Sequence, residues 1–499
     1  MGIRSFLVKP FARKIARDIK KWSANALAEQ DKILSNLVKV GQNTAFGKDH
    51  DFANIKNYED FKQRVPIRDY EGLKAYVERI KQGEKDVLWK GRPRYFAKTS
   101  GTTSGVKYIP LTTESIPNHF GTARNALFNY YAETGKGKWL DGKLIFLSGS
   151  PELSEIAGIP TGRLSGIVNH LVPSWLRTNQ LPSYETNCIE AWEEKLEKIV
   201  AETAQQDMTL ISGIPPWVQM YYERLLEVSG KEKVIDLFPN YEVFVYGGVN
   251  FEPYRAKLEA LVGRRIDSVE TYPASEGFIA FQDSQTEPGL LLNSSSGIFF
   301  EFVPAGEIFD ENPSRLSLHE VEVGVNYALI INSNAGLWGY NIGDTVQFIS
   351  TDPYRLVVSG RVKHFISAFG EHVIGKEVEE ALLGVAAEEG IRIVEFTVAP
   401  QVNPPEGGLP YHEWLIAFDN DPADLMAFAK KVDAAMVQQN IYYEDLIDGN
   451  ILQPLKIRKL QKDAFRHYMK SQGKLGGQNK VPRLANDRKI AEALQGYIV

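Results

Sequence analysis

Apolar residues in the first forty positions recur at helical intervals: Ile15, Ile19, Trp22 and Ala26, then Ile33, Leu34, Leu37 and Val38. This spacing predicts a long helix over 11–42. Further helices are expected from Asp69 through Ile80, over 118–131 and 189–206, and over 217–228 behind Pro215-Pro216. Short apolar runs at 144–147, 208–211, 243–246 and 266–270 read as strands, each followed by a turn. The turn after 266–270 is expected to be Tyr272-Pro273-Ala274-Ser275-Glu276. Residues 150–187 are rich in Gly, Pro, Ser and Asn and predict irregular backbone.

From Ile298 to Val358 the period shortens towards two, predicting an antiparallel sheet or barrel. Leu316 and Leu318 alternate with polar neighbours, as do Val321 and Val323 one step out of phase; the slip reads as a bulge. Beyond residue 362 the pattern becomes compact α+β: helix 376–388, strands 394–398 and 414–418, and helix 424–439. The expected architecture is α/β with an antiparallel β-barrel portion. A large N-terminal domain would cover 1–362 and a smaller α+β domain 363–499. In an α/β sheet, ligands sit at strand C-termini.

The bulk numbers narrow the partners. At 499 residues two or more domains are the prior, and a net charge of −6 gives no electrostatic reason to expect nucleic acid. No apolar run approaches membrane-spanning length. The basic N-terminus, Arg4 through Lys21, reads as a solvated helix face, so no stable membrane association is expected. Cys188 is the only cysteine, which fits a reducing, cytoplasmic setting.

The chemistry centres on Thr99-Ser100-Gly101-Thr102-Thr103-Ser104-Gly105-Val106-Lys107. Its glycines let the backbone cradle an anion, its hydroxyls add donors, and Lys107 adds charge. The NTPase P-loop is excluded, because the glycines stand one residue too close and Val106 precedes the lysine. No His-Glu-x-x-His and no hydrolase elbow with plausible partners occurs. Gly247-Gly248-Val249 offers a flat surface for an adenine. Tyr272–Glu276 offers a ring and a carboxylate suited to magnesium. In Tyr340-Asn341-Ile342-Gly343-Asp344, the aspartate could accept ribose hydroxyls from a glycine turn. Together these point to bound ATP.

The three motifs resemble the signatures of the acyl-adenylate-forming superfamily. Tyr-x-x-Ser-Glu and Tyr-x-x-Gly-Asp are most similar to the auxin-responsive acyl acid amido synthetases called Gretchen Hagen three. Phe46-Gly47-Lys48, Val65-Pro66-Ile67 and the tail Gln478-Asn479-Lys480-Val481-Pro482-Arg483 extend the likeness over nearly the whole chain. The compact chain, without an N-terminal extension, points to a bacterial member.

That resemblance implies an ATP-dependent ligase that adenylates a carboxylic acid and passes the acyl group to an amino acid. The rivals are an acyl- or aryl-CoA ligase and an inactive nucleotide-binding interaction protein. It implies that Ser100, Gly101, Thr102, Thr103, Ser104, Gly105 and Lys107 hold phosphates, and that Gly248, Val249 and Tyr272 through Ser275 line the nucleotide. Glu276 would hold Mg2+, Asp344 and Arg361 the ribose or phosphate, and Lys480 would enter the site from a mobile C-terminal lid. Lys474 is its competitor. Trp175, Ile214, Trp217, Tyr221 and His372 are candidates for the substrate pocket. The family's plant members carry Asp-Lys where this chain has Glu371-His372.

Overall fold

The structure is a computed structural model that describes residues 3–99, 106–172, 177–248, 251–362, 365–366, 368–371, 373–472 and 481–499. The chain divides into two compact units, one holding Met1–Thr99, Val106–Glu190 and Lys195–Val362, the other Lys363–Val499 with Ala191–Glu194.

The first expected helix is two, α1 (Ile3–Ser23) and a second over Ala26–Gly41. The break has a side-chain cause. Ser23 Oγ donates to the Lys20 carbonyl and Asn25 Nδ2 to that of Lys21, competing with the helical ladder. The helix Tyr70–Lys81 starts where Asp69 accepts from the Gly72 amide. Helix Ile116–Thr134 carries α1 on its flank: Tyr131 donates to the Ser5 carbonyl, and Phe11 meets Phe128 edge-on at 5.1 Å.

Strands β1 (Tyr95–Thr99) and β2 (Lys107–Leu111) pair antiparallel, so Thr99 stands opposite Lys107 and the ends of the glycine-rich loop meet. After β3 (Lys143–Phe146), the segment expected to be irregular holds structure. It contains β4 (Ser154–Ile156), β5 (Ile159–Arg163), helix Leu164–Leu171, β6 (Gln180–Leu181) and helix Tyr184–Cys188. β5 adds to β1 in parallel, giving the order β2-β1-β5-β4. A Cβ on its Gly162 would lie 2.5 Å from Leu153, so a larger residue there would have to displace that side chain.

Next come β7 (Met208–Ser212), β8 (Val243–Gly247), β9 (Asp267–Ala274), β10 (Gly277–Phe281) and β11 (Leu290–Leu292). They are followed by β12 (Ile298–Pro304), β13 (Asn326–Ser333), β14 (Tyr340–Thr351) and β15 (Tyr354–Arg361). One sheet takes them in the order β12-β13-β14-β15-β11-β10-β9-β8-β7-β3-β6. The half from β6 to β9 is parallel and the remainder antiparallel. The two-residue period thus becomes the antiparallel half of a mixed sheet, with no closed barrel among the described strands.

Two local expectations change. Within Leu316–Val323 the chain turns at residues 318–320, where the Glu320 carboxylate accepts from both the amide and hydroxyl of Ser317, so the phase slip marks a turn rather than a bulge. The strand at 266–270 runs on through Tyr272 and Pro273, and the chain reverses only at Ser275-Glu276.

The second unit packs helices Gly375–Glu388 and Leu425–Gln439 with a sheet of β16 (Arg392–Gln401), β17 (Tyr411–Asn420) and β18 (Gln453–Leu460). Asp424 caps the second helix by accepting from the Met426 and Ala427 amides. Near the entry to this unit, Glu371 accepts from the Phe369 amide and pairs at 2.8 Å with His412, both side chains fully buried.

Candidate active site

The parallel strands end side by side, and their termini are shaped by glycine. Gly247 closes β8 where a Cβ would lie 2.3 Å from the Thr271 carbonyl of β9, so only hydrogen fits there. Gly248 follows with φ of 81°, and Ile214, after β7, is the nearest side chain to its missing Cβ at 3.9 Å. Ile214 and Trp217 open the helix Pro215–Ser229 and are both half-buried.

Across the sheet, β14 carries the Tyr340–Asp344 motif in a strand rather than a turn. Ala328 of β13 pairs with Thr345, but Ile330 pairs with Asn341, so Ile342, Gly343 and Asp344 together face Leu329. Gly343 takes φ of 86° in this bulge, and its amide donates to Asn341 Oδ1. Bulges re-aim side chains beside functional sites, and this one turns Asp344 towards Tyr272.

The result is a crossed exchange between motifs. Tyr272 Oη donates to Asp344 Oδ2 at 2.6 Å, and Tyr340 Oη donates to Glu276 Oε1 at 3.2 Å. Each motif supplies one phenol and one carboxylate. Burial, and then the charge of Glu276, pushes the Tyr340 phenol well above its ordinary pKa, so it stays a donor. A carboxylate oxygen has two lone pairs, so accepting from a tyrosine leaves Asp344 acceptor capacity for a hydroxyl.

Arg361 ends β15 with its Cα in register with Asp344, so the sheet brings these two backbones together. Lys107 opens β2. Pro273 and Ala274 finish β9, and Ser275 sits in the turn with Glu276. Ser100, Gly101, Thr102, Thr103, Ser104, Gly105, Trp175, Val249, His372 and Lys480 lie outside the described residues, as does the Arg361 side chain.

One pocket residue is corrected. Tyr221 is fully buried, and its hydroxyl is bonded to Thr203 Oγ1 at 2.8 Å; it faces the core between two helices. What the chain offers instead is a cavity of about 600 Å³ beside helix Ile116–Thr134. Phe120, Gly121, Arg124, Leu171, Phe281 and Asn334 are among the residues around it.

Lys195 is a further candidate. Its ammonium is buried and donates to the carbonyls of Ser148, just past β3, and Asn187, both at 2.8 Å. Burial and the nearby Arg163 guanidinium bring its pKa down to about 8. A signal for it exists in the sequence, since Lys195 stands four residues before Ile199 in an otherwise apolar helical stripe.

For a metal, Glu276 is the carboxylate that could serve, and no group of three or more potential ligands occurs among the described residues. That donor set fits Mg2+, which binds through one or two carboxylates plus substrate phosphates.

Family models of the GH3 family match this chain in three parts: the N-terminal domain over 15–171, the central domain over 291–361 and the C-terminal domain over 376–489. The chain belongs to the GH3 family. An indole-3-acetic acid-amido synthetase of Arabidopsis thaliana, GH3.4, is 23% identical over 97% of this chain and 94% of its own. A jasmonoyl–L-amino acid synthetase of Oryza sativa subsp. japonica, GH3.5, is 22% identical over 93% of each. These relatives are ligases that form C–N bonds. A solved acyl acid amido synthetase, AtGH3.15 in complex with 2,4-DB, shares the fold over 98% of this chain and 96% of that one, with a TM-score of 0.62 at 16% identity.

Proposed function

We propose that the protein is an ATP-dependent acyl acid amido synthetase. The observation that carries this is the crossed pair Tyr272–Asp344 and Tyr340–Glu276. It holds two carboxylates at the ends of the motifs that resemble adenylate-forming enzymes, within a GH3 chain.

In the first step an oxygen of the acid's carboxylate attacks the α-phosphorus of ATP. The bond to the β-phosphate oxygen breaks, leaving acyl-AMP and pyrophosphate. The loop 100–105 and Lys107 would hold the β- and γ-phosphates and stabilise charge on the leaving group. Asp344 would accept from the ribose, and Arg361 would reach ribose or phosphate. Glu276 would hold Mg2+, which when bound neutralises charge on phosphate oxygens. Positioning the acid in line can contribute roughly 7–11 kcal/mol.

In the second step the amino group of an amino acid attacks the acyl carbonyl. AMP leaves with the bonding pair, and the nitrogen loses a proton. We assign Lys480 to the adenylation state and residues 363–499 to a mobile lid that exchanges the two states. The cavity beside Gly121 sets Phe120, Leu171 and Phe281 beside Asn118, Arg124 and Asn334, a mixed lining that supports an acid carrying both an apolar body and polar groups.

Pyrophosphate release with a panel of carboxylic acids, with and without amino acids or CoA, tests the reading. Release that leads to an amide only with an amino acid is expected. Turnover that needs CoA and ignores amino acids would overturn it.

A further inference from the structure

Helix α1 has two unlike faces. Ser5, Ala12, Ile15 and Ile19 are buried, and this side is held to helix Ile116–Thr134. On the other side two series run at seven-residue intervals, Phe6, Arg13 and Lys20, and Leu7, Lys14 and Lys21, with Arg17 between them. At about 100° per residue these seven share one outward arc, and all seven are exposed. Phe6 and Leu7 stand at its N-terminal end, 67% and 69% exposed.

The composition is one-sided. Ile3–Ser23 holds seven basic residues and one acid, Asp18, in a chain whose net charge is −6. No ion pair to any of these cations is recorded among the described residues. Lys20 and Lys21 lie in the last turn, where the helix dipole favours cations. Arg13, Lys14 and Arg17 sit mid-helix, where the dipole gives nothing. Solubility alone requires neither five cations on one arc nor two large apolar side chains beside them.

We propose that α1 docks the protein reversibly on an anionic phospholipid surface, with the cations on headgroup phosphates and Phe6 and Leu7 inserted among the acyl chains. Among the described residues, no helix is long and apolar enough to cross a membrane. The combination of basic residues and apolar anchors on one helical face is that of an interfacial helix. Each cation near such a surface is worth roughly fivefold in affinity. The proposal does not depend on the activity assigned above.

The full-length protein should float with phosphatidylglycerol–phosphatidylcholine vesicles and not with pure phosphatidylcholine. Raising salt should release it, since screening shortens the range of the attraction. Phe6→Ser with Leu7→Ser should weaken vesicle binding at least tenfold, and Arg13→Glu with Arg17→Glu should abolish it. Both variants should keep the wild-type circular dichroism spectrum and melting temperature, since none of these side chains is buried. Failure to bind anionic vesicles would overturn the proposal. So would equal binding by the variants, self-association through α1, or binding to a DNA oligonucleotide but not to vesicles.

Discussion

Tyr272 donates its phenolic proton to Asp344 across 2.6 Å, joining two motifs 72 residues apart in sequence. The ring sits at the end of the parallel half of the sheet and the carboxylate on a bulge in the antiparallel half. A hydrogen bond to a charged group contributes about 1.5–3 kcal/mol. Asp344→Ala should therefore weaken ATP binding by about ten- to hundredfold, measured by calorimetry. Tyr272→Phe, which removes this one bond to Asp344, should give a smaller loss in the same direction. Unchanged affinity in Asp344→Ala would remove the ribose role.

The companion bond, Tyr340 to Glu276, separates metal binding from folding. Glu276→Gln keeps an acceptor for the phenol but loses the charge that attracts a cation. Pyrophosphate release should then need at least about tenfold more Mg2+, with the melting temperature little changed. Tyr340→Phe instead removes a buried donor and should cost about 1–3 kcal/mol of stability. A Glu276→Gln enzyme with the wild-type Mg2+ dependence would return Glu276 to a structural part.

Much of the fold around the candidate site was legible because its signals are local. A buried parallel strand shows as a run such as Met208–Ile211, and a cap as Asp69 or Asp424, from neighbours alone. Read as turns, the motifs were placed in the right strands' company but with the wrong backbone. Glycine beside aspartate looks like a turn, and only the pairing of β13 with β14 shows that Gly343 belongs to a bulge. Tyr221 fits a pocket as well as a core from spacing alone; its partner, Thr203, belongs to a different helix. Polar residues from 150 to 187 masked β5, whose partner β1 lies some sixty residues earlier. Lys195 was missed because a lysine in an apolar stripe reads as an interruption, until the carbonyls of Ser148 and Asn187 account for it.

Gly121 tests the cavity. It lies mid-helix, and a Cβ added there would meet nothing within 4 Å. A helical glycine costs about 0.5–1 kcal/mol relative to alanine. Gly121→Ala should thus stabilise the protein by about that amount in a denaturant titration. Gly121→Trp projects an indole into the space and should raise KM for the acid at least about tenfold while leaving ATP affinity alone. An unaltered KM would place the acid elsewhere.

His119, in the same helix, makes stability depend on pH. It is buried, and desolvation lowers its pKa from 6.5 to about 4. Between these values the unfolded chain binds a proton that the folded protein does not. The contribution is therefore present in full above pH 6.5 and is lost as pH falls towards 4. A shift of that size corresponds to about 3 kcal/mol as an upper bound. His119→Gln alters packing at every pH but removes the titration. Unfolding free energies measured from pH 7 down to about 4 should fall more steeply for the wild type than for His119→Gln, by up to that amount. Parallel curves would mean that the imidazole reaches water, or another partner, when protonated.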